Sequence, residues 1–338
     1  MPDSPNGAPD DARRLVDDYW EELLQHEPLL ATHVGDERYD DRLADPTPEG
    51  VASRRAFQAR ALAELERIDR GTVEPVVRGT LDIMEAAATR DLGSIDAHFE
   101  RLEAVSQMTG PAQLVGHLGS LQRADTPERV ERYVTRLHAV PEYLDAFAGI
   151  MRDGIQAGQV APRVVVERTI DMVERIIAAG VDGSPALQPV PESDSDARER
   201  VAAAIRGAVL PAHQRHLDAL RDYLPRATET IGLSALPDGE AMYAAQILGW
   251  TSLSLDPNEV HRIGIEELEG IDQERQEIAS RLGFATSAEV IEDLDASGRN
   301  HAKSREEMVR LAEDQVRRGW DATPKAYFGI WVHTWPSL

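Results

Sequence analysis

The chain has 338 residues, with 60 acidic side chains against 36 Lys and Arg, a formal net charge of −24 at pH 7. Phosphate recognition needs Lys and Arg, so this balance argues against nucleic acid and against anionic membrane surfaces. A hydrophobic fraction of 42% is too high for a disordered acidic chain, and the absence of Cys removes disulfides, thiolate nucleophiles and Cys-zinc sites together.

Residues 1–10 are polar and acidic, lack the basic and apolar regions of a signal peptide, and are expected to be disordered. Helical periodicity then dominates, so the expected class is all-α. Val16, Tyr19, Trp20, Leu23 and Leu24 share a face of a first helix over 11–25. A loop is predicted over 28–48, then a helix over 55–68. Residues 76–92 and 95–108 read as two helices or one bent one. Pro127 after Thr126 marks a helix start, and Pro141 should start or kink a helix that runs to about Gly158. A helix over 163–179 closes an N-terminal helical part, 11–179. Gly, Pro, Ser and Asp make 180–196 the best linker. A second helical part, 197–328, opens with a long helix over 197–224 that Pro211 should bend. Shorter helices follow over 240–250, from Asp256 to about Leu282, and after the capping boxes at Thr286 and Ser304.

The C-terminus departs from this pattern. No acid follows Asp321 in the last 17 residues, and three of the five Trp (Trp320, Trp331, Trp335) lie in or just before this stretch. Residues 329–338 are read as an atypical tail, out of frame, so that the natural chain is expected to be longer. Lys is confined to Lys303 and Lys325, which with the acid density suggests a salt-rich, halophile-like cytosol. The expected location is cytoplasmic.

Catalytic motifs are absent. There is no Gly-x-Ser-x-Gly elbow, no phosphate loop and no dinucleotide fingerprint. His26-Glu27 begins a zinc-hydrolase pattern, but Leu30 stands where the second His is needed. His213 and His216, at i and i+3, are the only closely spaced His pair, and two ligands do not make a zinc site. Asp36, Glu37, Asp40 and Asp41, and Asp194 with Asp196, read as solvated surface. No catalytic and no metal-ligating residue is therefore assigned.

Four ordered segments carry a resemblance. The first runs Pro28-Leu29-Leu30-Ala31-Thr32-His33-Val34-Gly35, followed by Arg42-Leu43-Ala44-Asp45. The second is 133–162, from Tyr133 to Pro162. The third is 231–239, ending Leu236-Pro237-Asp238-Gly239, with Tyr243 after it. The fourth is 255–264, from Leu255 to Gly264. In this order they resemble the N-terminal portion of the domain of unknown function 885 family. The resemblance implies a mostly helical, zincin-like protein, similar in plan to the helical zinc carboxypeptidases and oligopeptidases. It also implies zinc-dependent hydrolysis of a peptide or small amide. The family's His-Glu-x-x-x-Gly-His-His-type segment has no counterpart in this chain, so zinc is implied for the full-length family and no cofactor is assigned here. The expected protein is thus truncated before its metal site and inactive alone, with Tyr243, Gly239 and Pro237 as substrate-cleft candidates. Truncation would leave apolar faces uncovered and favour self-association. The alternative is an acidic, all-helical binding or interaction protein without catalysis.

Overall fold

A computed structural model describes residues 7–326, with side chains described for 10–323. The tail 329–338 and residues 1–6 lie outside the described residues. The described fold is all-α. No strand occurs among these residues, and the one β pairing is an isolated bridge between Pro162 and Thr228. Fourteen α-helices follow one another: α1 (Gly7–His26), α2 (Pro28–His33), α3 (Pro48–Leu65), α4 (Pro75–Asp96), α5 (Glu100–Glu103), α6 (Leu114–Leu121), α7 (Pro127–Ala157), α8 (Arg163–Ala179), α9 (Ser195–Ala204), α10 (Leu210–Tyr223), α11 (Gly239–Thr251), α12 (Pro257–Arg281), α13 (Ser287–Ser297) and α14 (Arg305–Ala326). The chain divides into two compact units, Met1–Pro257 and Asn258–Leu338.

Local signals set most helix starts. Thr47 accepts a hydrogen bond from the Gly50 amide with Pro48 at the first helical position of α3. Thr126 does the same for Arg129 ahead of Pro127 in α7. Each side chain satisfies an orphan amide of the first turn, and each Pro sits where its missing N–H costs nothing. Helix α7 ends at Gly158, whose φ of +71° is a left-handed cap.

The first unit is organised around α7. One core cluster joins Tyr133, Leu137, Val140 and Leu144 of α7 to α6, α9 and the segment before α9. A second joins Met151 to α8 and α10 through Val166, Val173, Leu217 and Leu220. A third packs α1, α3 and α4 through Tyr19, Phe57, Leu65 and Leu81. In the second unit, Ala279 is the only buried residue among those described.

Four expectations are corrected. Residues 7–10 are the first turn of α1 rather than a disordered arm. Within the predicted loop 28–48, Pro28–His33 is helical, started by Pro28. Helix α7 runs unbroken through Pro141, so that residue does not start it. By contrast, Pro211 does sit inside one helical run as expected: the backbone stays helical from Ser195 to Tyr223, and a π turn at Ile205–Val209 between α9 and α10 widens it ahead of a residue that cannot donate. Finally, 180–196 is not a linker. Ala186, Leu187 and Val190 are buried, and the Tyr133 hydroxyl donates to the Ala186 carbonyl at 3.0 Å. The apolar residues between the turn residues tie this loop into the core, and the boundary falls instead at 257/258.

Candidate functional site

The first two segments of the resemblance meet at one buried cation. Arg136, on α7 within the second segment, is fully buried. Its guanidinium donates to Thr32 Oγ1 at 2.9 Å, to Gln122 Oε1 at 2.8 Å and to the Tyr39 carbonyl at 2.6 Å. Asp40 stands 3.7 Å away and accepts from the Thr32 hydroxyl at 2.6 Å. Burial lowers the Arg136 pKa to about 10, against the pull of Asp40 and Asp41. The side chain remains a cation that fastens α2 and the turn after it to α7. Asp40, expected on a solvated surface, is therefore buried.

The third segment closes on the end of the second. Asp238 has a left-handed φ of +58°, and a Cβ on Gly239 would lie 1.7 Å from the Leu233 carbonyl oxygen, so the turn before α11 admits no side chain there. Gly158 faces the Pro237 ring. Gln159, buried, accepts from the Arg101 guanidinium and donates to the Pro237 carbonyl at 3.4 Å. Beside this junction lies a cavity of about 320 Å³, walled by Leu102, Val105, Val160, Val165, Leu233 and Leu236. Glu103 lines it too, and burial raises its carboxyl above the usual range, with Arg54 opposing. Of the three predicted cleft residues, Pro237 and Gly239 shape the turn that bounds this cavity, and Tyr243 is half-exposed on α11 outside its lining.

Behind Glu103, two carboxylates flank one Arg. Arg54 lies 3.4 Å from both Glu27 and Asp91, and Gln58 donates to Asp91 at 2.9 Å. Burial raises Glu27, and burial with the nearby Glu27 and Glu103 charges pushes Tyr143 up to about 12. In the sequence Glu27 stands out only as part of an incomplete zinc motif. Arg54 and Glu103 carry no sequence signal, since their meeting depends on the packing of α3, α4 and α5.

A larger cleft of about 690 Å³ lies among the start of α3, the α4–α5 junction and the middle of α7. Its floor is apolar (Val51, Ile95, Ala146, Ile150) and its rim charged (Arg55, Asp96, Asp145, Arg152).

The zinc implied by the resemblance does not fit these residues. His213 and His216 are both buried. Nδ1 of His213 is 2.9 Å from the Val209 carbonyl and Nε2 is 3.3 Å from that of Ala112, so both nitrogens face backbone oxygens. No group of three His, Asp or Glu able to hold a metal occurs among the described residues, and no helix there is long and apolar enough to cross a membrane.

Known proteins share this architecture. The family described as "Bacterial protein of unknown function (DUF885)" matches residues 28–334. The match takes in all four segments and continues past Gly329, where a change of frame was expected. A solved structure described as the "putative lipoprotein from Colwellia psychrerythraea" shares the fold, with a TM-score of 0.77 at 18% identity. The match covers 93% of this chain and 60% of that one, so this chain spans about three fifths of the protein it resembles. No curated protein matches.

Proposed function

The chain belongs to the DUF885 family of bacterial proteins of unknown function, and from that membership we propose that it is the substrate-binding portion of a hydrolase acting on peptides or small amides. In this reading the chain is an N-terminal part, and the zinc ligands and general base belong to polypeptide beyond it. The observation that carries the proposal is the cavity of about 320 Å³ built from the second and third segments. Its walls suit one apolar side chain of a substrate, and Glu103 supplies a single polar anchor. Pro237 and Gly239 hold the rim, and Tyr243 contacts the part of the substrate that lies outside. Cytoplasmic location belongs to the same proposal and rests on the lack of Cys; cell fractionation tests it.

Two measurements test this reading. The chain alone should bind an apolar dipeptide amide without cleaving it, and Val165→Arg should abolish the binding by filling the cavity with a charge. The coding sequence after codon 338, read in all frames, should contain the His-Glu-x-x-x-Gly-His-His segment. Stoichiometric zinc with measurable hydrolysis by the chain alone would overturn the proposal.

A second reading, an acidic helical interaction protein without catalysis, is favoured by one observation. Leu268 and Ile271 of α12 and Met308, Val316 and Trp320 of α14 are all exposed. A clean stop codon followed by an unrelated gene would favour it over the first.

A further inference from the structure

The larger cleft has a chemistry of its own, argued from its rim and floor and not from the zinc-hydrolase reading. We propose that it binds a small monoanion consisting of a carboxylate on an apolar body with an adjacent N–H, the class of an acylated amino acid or the C-terminus of a short peptide. The carboxylate sits on Arg152.

The charges at the rim single out this residue. In a chain carrying −24, most cations in this part of the fold are already taken. Arg55 is paired with Asp96 through Nε at 2.6 Å and Nη2 at 3.2 Å. Asp145 is held by Arg215 at 2.8 and 3.0 Å, and the Arg101 guanidinium is spent on Gln159. Arg152 differs. Its Nε donates to the Ala148 carbonyl at 3.2 Å, one turn back on α7, and it has no carboxylate partner among the described residues. A Cβ on Gly149 would lie 3.9 Å from Arg152 Nη2, so the guanidinium lies beside a position where α7 carries no side chain. The Nε contact fixes the plane of the group while both Nη nitrogens remain available. That is the fork that receives a carboxylate through two parallel hydrogen bonds.

The rest of the cleft selects among anions. Val51, Ile95, Ala146 and Ile150 provide an apolar floor that a bare inorganic anion would not use. Asp153 stands at the same rim. Its charge repels a second negative charge on the ligand and offers an acceptor to a ligand N–H. The opposite wall exists because of a strained residue. His98 has a φ of +54°, rare for a side chain of this size. This kink ends α4 and starts α5, so that Asp96, His98, Glu100 and Arg101 all face the cleft, with His98 Nδ1 3.2 Å from Glu100.

The test uses the full chain and three probes at one moderate salt concentration: N-acetylleucine, its uncharged amide, and inorganic phosphate. Calorimetry or NMR titration should show millimolar or tighter binding of the acid. The amide should bind at least about tenfold more weakly, because it loses the charge-assisted pair. Arg152→Gln should abolish that difference and Arg152→Lys retain part of it. Gly149→Leu, which the backbone tolerates, should occlude the floor and weaken both organic probes. Circular dichroism confirms that the variants fold. Equal affinity for acid and amide, unchanged binding by Arg152→Gln, phosphate binding as tightly as the acid, or no binding at millimolar concentration would each overturn the proposal. The titrations are run on the Val165→Arg background as well, which blocks the smaller cavity and leaves the larger cleft intact, so the two proposals fail independently.

Discussion

His216 shows how far burial changes a titratable side chain. It is fully buried, and neither ring nitrogen has a hydrogen-bond partner within the protein. Desolvation, then the neighbouring His213, lowers its pKa from 6.5 to about 4, with Asp145 opposing. A base whose folded pKa lies below its unfolded value binds protons more readily when unfolded, so stability is lost as pH falls from about 6.5 through about 4. By linkage the loss is about 2 kcal/mol between pH 7 and pH 5. His216→Leu removes both the orphaned nitrogens and the titration. It is expected to raise stability by about 1 kcal/mol at neutral pH, with the gain over wild type growing toward pH 5. Urea unfolding of both proteins across this range measures it, and a gain that shrinks on acidification would refute it. Glu27 and Glu103, raised by burial, act in the opposite sense in both proteins and cancel in the comparison.

At the scale of elements, the turns decide how helices meet. The turn before α11 requires Gly239 because the Leu233 carbonyl occupies the space a methyl group would need. Gly239→Ala should therefore cost about 2 kcal/mol or more, since backbone must shift to relieve the overlap. Gly79, inside α4 of the same unit, has open space for at least 4 Å around the position a Cβ would take. Gly79→Ala should stabilise by about 0.5–1 kcal/mol through helix propensity alone. Thermal unfolding of the two variants should move in opposite directions. The two interior prolines are met differently. Pro141 is absorbed within an unbroken α7, whereas the chain meets Pro211 with a π turn.

For the whole molecule, charge and exposed apolar surface oppose each other. Self-repulsion at −24 keeps copies apart. The apolar side chains of α12 and α14 favour association by the hydrophobic effect. Salt shortens the range of the repulsion to about 10 Å at 0.1 M and about 3 Å at 1 M. Added KCl should therefore raise the thermal midpoint and shift the mass seen by light scattering above the 37.3 kDa of one chain. Leu268→Glu combined with Val316→Glu should suppress the mass increase while leaving the salt-dependent stabilisation in place. A wild-type chain that stays monomeric across the series would remove the case for association through these faces.

The class, the family and most helix starts were legible in the amino-acid order. Apolar residues recurring every three to four positions, and Thr or Asp ahead of Pro, are local signals that packing did not have to create. The segments that matter, from Pro28 to Gly239, were legible too, but not that much of their work is architectural. Tertiary packing was needed to place Arg136 between Thr32 of α2 and the Tyr39 carbonyl, to move the unit boundary from 180–196 to 257/258, and to set Glu103 beside the apolar cavity and Arg152 over the larger cleft. The physical reason is the same in each case. Burial, pairing and pKa depend on neighbours distant along the chain, and no periodicity in one segment encodes what another segment will bring against it.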